Sequence, residues 1–111
     1  MIQATFIRHG GNLESIELAG HAGSGEYGFD IVCAAVSTLS INLVNSLEVL
    51  ADCNVDLVIN EIDGGYMRID ISHIIKKTDE KVQLLLESFL LGMTNLAENS
   101  QEFVSVQVIA N

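Results

Sequence analysis

One apolar stripe constrains the fold of this chain more than any other feature. Val32, Val36, Leu39, Leu43, Leu47 and Leu50 recur at spacings of three and four. That period marks one face of an α-helix. The spacing predicts a helix over residues 31–50, opened by Asp30 as N-cap and ended by Asp52-Cys53-Asn54. At 1.5 Å per residue such a helix is about 30 Å long, the diameter of a small domain. The remaining elements have to pack along it.

Those elements are legible as two strand pairs, a second helix and a last strand. Residues 1–8 alternate and are rich in β-formers, Gly10-Gly11-Asn12 is a turn signal, and residues 13–18 alternate again, which predicts a hairpin. Residues 55–62 and 66–71 flank Asp63-Gly64-Gly65, a second hairpin signal. Thr78-Asp79-Glu80 opens the second helix, its acidic first turn suited to the macrodipole. Val82, Leu85, Phe89, Met93 and Leu96 form one stripe of that helix, and Leu84, Leu86, Leu90 and Leu91 fill much of the rest. A helix this apolar is expected to be covered on more than one side. Residues 103–109 alternate as a final strand. The order ββαββαβ predicts an α+β domain: a mainly antiparallel five-stranded sheet packed with two helices. Two helices on one face, or one on each, fit the pattern equally. The 111 residues contain no proline, repeat or linker and read as one domain, 1–111.

Charge and composition narrow the function. The net charge is −10, with Arg8, Arg68, Lys76, Lys77 and Lys81 the only Lys and Arg residues. Phosphate binding is built from Lys and Arg, so direct nucleic-acid binding is not expected; an acidic surface favours basic partners. Apolar residues make up 49% of the chain and mean hydropathy is +0.37, which points to an oligomer with an apolar interface. No run of residues approaches the ~20 apolar positions of a membrane span, and the N-terminus reads as a strand rather than a signal peptide. A cytoplasmic protein without membrane contact is expected. Cys33 and Cys53 lie near opposite ends of the predicted helix, too far apart for a disulfide, so both thiols should be free. No Cys-x-x-Cys or His-x-x-x-His pair occurs, and no metal or cofactor is implied.

The chemistry concentrates in residues 20–37, where Gly20-His21 ends one element, a glycine-studded loop follows, and Cys33 enters the helix. Three residues after an N-cap, unpaired backbone N–H groups and the helix dipole favour a thiolate. The N–H of Cys33 and a neighbour could stabilise an oxyanion. A loop of this length permits His21 to fold back onto Cys33 without requiring it. Asp30 would disfavour a thiolate, leaving it the roles of helix cap or His21 orienter. Ser37 lies one turn beyond Cys33 on the same face, either packing as a small residue or hydrogen-bonding near the site. Gly20 suits close backbone approach or an unusual dihedral. Gly23, Gly25 and Gly28 suit either an open surface loop or a flap closing over a peptide. They match a Gly-x-Gly-x-x-Gly spacing, but without a lysine or a parallel βαβ setting this is not a phosphate loop. His9 and His73 read as surface or strand-end residues, and Cys53 as a small helix-end residue. Taken alone, a His and a Cys more often mean a buried structural thiol than a catalytic pair.

The spelling as a whole resembles the ribosomal-processing cysteine proteases, the Prp family. Gly20-His21-Ala22, then Asp30, Val32-Cys33-Ala34 and Ser37 match the family pattern without a gap, and length and element order extend the likeness over nearly the whole chain. The resemblance implies a cysteine endopeptidase with Cys33 as nucleophile and His21 as base. Gly20, Asp30 and Ser37 would support the site. It implies a compact homodimer whose substrate is the precursor of a large-subunit ribosomal protein, cleaved to remove its N-terminal extension. A non-enzymatic dimeric module for ribosome assembly, or a small thioesterase or amidase with the same dyad, is the competing reading.

Overall fold

The computed structural model describes residues 1–20, 27–60 and 65–111. Strands β1 (Ile2–His9) and β2 (Asn12–Ala19) form the first hairpin. His9 pairs with Asn12, leaving a two-residue loop, and Gly10 and Gly11 both take positive φ, +58° and +87°. A type I′ turn requires that conformation at both positions, and glycine adopts it without a steric penalty. Helix α1 (Tyr27–Ala51) follows. Strands β3 (Asp56–Asn60) and β4 (Tyr66–Asp70) then pair antiparallel, a short 3₁₀ turn spans Ile75–Thr78, and helix α2 (Glu80–Asn99) leads into β5 (Val104–Ala110). The sheet order is β3-β4-β2-β1-β5. Neighbours are antiparallel except β1 and β5, which run parallel. The expected mainly antiparallel α+β architecture is the one observed.

Both helices lie on one face, which the sequence pattern left open. Leu18 pairs with Ala4 and with Met67, so these three side chains share a face with Phe6, two residues along β1 from Ala4. Met67 lines a groove with Ser40, Ile41 and Val44 of α1. Phe6 meets Phe89 of α2, ring centroids 5.8 Å apart. One continuous core forms between the layers. It joins Ile2, Ala4, Phe6, Ile16 and Leu18 to Val36, Leu43 and Leu47 of α1 and to Val82, Leu86, Phe89 and Met93 of α2.

The ends of α2 follow from capping chemistry. Asp79 is its N-cap, with Oδ1 accepting the Lys81 N–H at 2.8 Å. One turn on, the Gln83 side chain serves a β-bulge. Pairing shifts register between Ile7 and Arg8. The Leu13 N–H donates to Gln83 Oε1 at 2.9 Å, and Gln83 Nε2 donates to the Leu13 carbonyl at 2.9 Å. A side-chain amide thus takes the place of a strand neighbour, which satisfies backbone groups the bulge would leave unpaired.

Within this chain α2 is covered on two sides, by the sheet through Phe89 on Phe6 and by α1 through Leu39 beside Gly92, and its third side stays open. Leu84 and Leu91, one heptad apart, are 71% and 62% exposed. Among the described residues α1 is the helix long and apolar enough to cross a membrane, with mean hydropathy 1.4 for Phe29–Ala51. Ser37, Thr38, Ser40 and Asn42 interrupt its apolar run, which is why no continuous span shows in the sequence. Its buried positions pack into the core, as expected for the central helix of a globule.

Candidate active site

The ends of four strands meet at one edge of the sheet. Gln3 pairs with Ala19, Ala19 with Tyr66, and Ile2 with Val104. The start of β1, the end of β2, the start of β4 and the start of β5 therefore lie together. The Gly20 N–H donates to the Gly65 carbonyl at 2.8 Å. Gly20 has φ +79°, and a Cβ built there would stand 2.5 Å from the Met1 carbonyl oxygen. Both expected reasons for glycine, an unusual dihedral and a close backbone approach, hold at this position. His21, Gly23 and Gly25 lie outside the described residues, so the expected His21–Cys33 contact and the flap do as well.

The opening turns of α1 reach this same edge through an aromatic pair. Phe29 meets Phe103 in an edge-on contact, centroids 5.9 Å apart and planes at 61°, and the Phe103 carbonyl accepts the Ile2 N–H at 2.7 Å. Cys33 follows Phe29 by one turn on the buried face and is 7% exposed.

Here the structure corrects the predicted helix start. α1 begins at Tyr27, not after Asp30. Gly28 is thus helical rather than part of the loop, and Asp30 is an exposed residue of the first turn rather than the N-cap. The reason is energetic. Glycine inside a helix costs about 1 kcal/mol relative to alanine, whereas burying a phenylalanine side chain contributes about 2–3 kcal/mol. Phe29 carries the buried stripe of Val32, Cys33 and Val36 upstream of where the Gly28 and Asp30 signals placed the start.

The shift changes the electrostatics of the thiol. Cys33 sits in the second turn, where its N–H faces the carbonyl of residue 29 in the helical ladder and is not free for an oxyanion. The dipole argument for a thiolate fails there too. Burial pushes the Cys33 thiol up, the Asp30 carboxylate adds to the effect and the N-terminal amine opposes it, so this setting favours the neutral thiol. Ser37 is half-buried one turn further on, and its side chain makes no hydrogen bond among the described residues.

The opposite edge holds the other sequence candidates. Cys53 follows the end of α1, 2% exposed, its thiol also pushed up by burial. Both cysteines are free. His73 is exposed, with Nε2 bonded to Asp56 Oδ2 and Nδ1 3.3 Å from Ser72 Oγ. This is a Ser-His-Asp series on open surface, at the β3 start and β4 end, away from Cys33. The residues missed in the sequence are Phe29 and Phe103. Their signal was present in Phe29, which falls four positions before Cys33 on the same stripe.

Comparison with known proteins shows the family. The model of the family described as cysteine protease Prp matches residues 1–105. The ribosomal processing cysteine protease Prp of Bacillus subtilis is 34% identical over 108 residues, covering 96% of each chain. Among solved structures, SMU.848 from Streptococcus mutans superposes with a TM-score of 0.98 at 73% identity, covering 100% of this chain and 96% of that one. Two structures of the essential ribosomal processing protease Prp of S. aureus, one with a substrate peptide and one with a covalently linked product peptide, give TM-scores of 0.78 and 0.76. Each is 26% identical and covers 97% of this chain and 99% of theirs. These relatives set aside the non-enzymatic reading. Likeness in sequence and backbone over nearly the full length places this chain in the cysteine protease Prp family.

Proposed function

We propose that this protein is the endopeptidase that removes the N-terminal extension of a large-subunit ribosomal protein, with Cys33 as nucleophile and His21 as general base. The observation carrying the reading is the covalently linked product peptide in a relative of the same fold, set beside a buried cysteine on α1 at the edge where the Gly20-His21 segment leaves β2. A peptide held covalently by a cysteine protease is what an acyl-enzyme mechanism produces. Residues 1–111 form one catalytic domain in this reading, acting in the cytoplasm.

The neutral resting thiol sets the order of events. His21 takes the Sγ proton as the peptide binds, and Sγ attacks the scissile carbonyl carbon. The amine of the downstream product leaves with that proton, returned from His21. Water then hydrolyses the thioester, releasing the extension as a carboxylate and restoring the thiol. The N–H group for the oxyanion has to come from outside the ladder position of Cys33, or from helix turns that open on binding. The acidic surface suits a basic ribosomal precursor. Incubation with the full-length precursor, followed by mass spectrometry, tests the reading. A single cut that releases the extension is expected, and an intact precursor after prolonged incubation with folded enzyme refutes it.

The protein also acts as a homodimer in this reading. Leu84 and Leu91 on α2, and Leu57 and Ile59 on edge strand β3, leave apolar surface uncovered. Sedimentation equilibrium at micromolar concentration should give twice the 12.0 kDa chain mass; a monomer overturns the dimer.

A further inference from the structure

A cysteine dyad works only if the two elements carrying it keep a fixed separation. Misplacement by about 1 Å can cost a hundredfold in rate. The strand end preceding His21 and the helix turn carrying Cys33 are different parts of the chain, so something has to tie them together. In the structure the tie runs through Phe103. Its backbone carbonyl accepts the Ile2 N–H at 2.7 Å, which anchors the first residues of β1. The Met1 carbonyl in turn closes on Gly20, where a side chain would leave only 2.5 Å. The Phe103 ring rests edge-on against Phe29 at 5.9 Å, and Phe29 lies one turn before Cys33, buried on the same face. The backbone of one residue thus holds the strand ends at Ile2 and Gly20 while its ring holds the helix turn that precedes Cys33.

We infer that Phe103 is a positioning residue for Cys33, fixing the helix turn that carries it through Phe29 and tying that turn to the Gly20 end of β2 through Ile2 and Met1. The inference rests on the function proposed above and adds a residue outside the 20–37 motif. The contact is aromatic for a reason. An edge-to-face pair prefers a defined ring geometry beyond its area of burial, so it fixes the rotation of the first turns of α1 as well as their distance. An aliphatic side chain fills similar space without that preference.

The molecule contains its own control. Phe6 and Phe89 form a second ring pair, 5.8 Å apart and tilted at 45°, in the core between β1 and α2. Phe103→Leu and Phe89→Leu each delete one ring from one pair. The test compares kcat and KM on a precursor peptide, melting temperature, and the pH dependence of Cys33 alkylation by iodoacetamide in a Cys53→Ser background. Both variants should lose stability. Only Phe103→Leu should lower kcat, by tenfold or more with KM changed little, and only it should move the alkylation midpoint, downward, because loosened helix turns admit water to the thiol. Phe103→Tyr keeps the ring and should restore kcat. Should Phe103→Leu not fold, Phe103→Met, which fills the gap flexibly, carries the same expectation. Equal kcat and equal alkylation profiles in the Phe103 and Phe89 variants overturn the inference. Wild-type protein that leaves the peptide uncut refutes the proposed function instead, and the alkylation comparison still decides whether Phe103 holds the Cys33 turn.

Discussion

The two ends of α1 each carry a buried free cysteine, and the two thiols look alike where chemistry is first sought. Cys33 and Cys53 are both nearly inaccessible, and burial raises both pKa values. A search for an activated thiolate would choose neither. The difference lies in what surrounds them. Near Cys33, Phe29 one turn back meets Phe103 just before β5, and the charges of Asp30 and the N-terminal amine act on the thiol in opposite senses. Around Cys53 the sequence has made a structural corner. Its N–H donates to the Leu47 carbonyl at 2.9 Å, and the neighbouring Asp52 pairs with Lys76 at 3.0 Å. The lesson is that surroundings, and not resting ionisation, set Cys33 apart from Cys53.

The largest effect that could break the comparison is on turnover. Cys33→Ala should lower cleavage of the precursor by at least a thousandfold, since a nucleophile acts as one unit with its base, while Cys53→Ser keeps most activity. Substantial turnover by Cys33→Ala, read by mass spectrometry, removes the distinction. His21→Ala should cost nearly as much, and His73→Ala, at the opposite edge, should behave as wild type. Were His73→Ala the inactive variant, the exposed series with Asp56 and Ser72 would have to be the site.

Glycines sharpen the contrast at smaller scale. Gly10 and Gly20 both need positive φ, but nothing lies within 4 Å of a Cβ at Gly10, whereas Gly20 faces the Met1 backbone. Gly10→Ala should cost about 1 kcal/mol for the dihedral alone. Gly20→Ala should cost about 3 kcal/mol or more, because backbone must also shift. Urea denaturation of both variants measures the difference; equal losses would mean that the close approach at Gly20 is relaxed at no cost.

The smallest effect concerns acid. Hydrogen bonding from Arg8, at 2.5 and 2.7 Å, holds the Glu87 carboxyl below its ordinary value against the opposing effect of burial. For Asp70, burial raises the pKa, but the Ser72 hydrogen bonds and then Arg68 and His73 outweigh it, and the net shift is downward. Folded pKa values below the unfolded ones give stability that is present above about pH 4 and is lost as pH falls through the folded values. Glu87→Gln should flatten the acid limb of a stability–pH curve by roughly 1 kcal/mol or less, since the pair is partly exposed. An unchanged limb would show that the pair contributes nothing measurable.

The fold was legible because its signals are local. Alternation gave the strands, Gly10-Gly11 the turn, and Asp79-Glu80 the start of α2. The start of α1 is not legible locally because two signals, Gly28 and Asp30, are outweighed by a distant contact, Phe29 on Phe103, which joins residues 74 positions apart. The arrangement of both helices on one face was not legible either, since a stripe shows that a helix is buried and not which sheet face buries it. At the site, the motif drew attention to Cys33 and Gly20, but the raised thiol pKa follows from burial by the whole core, which no short motif encodes.

The neutral state of Cys33 has a consequence for the lifetime of the protein. Oxidation to sulfenic acid and beyond follows thiolate character and exposure. A thiol that is both covered and protonated at rest is a poor target for peroxide. Burial shields the sulfur from oxidation while no substrate is bound, at the expense of a slower first step when one arrives.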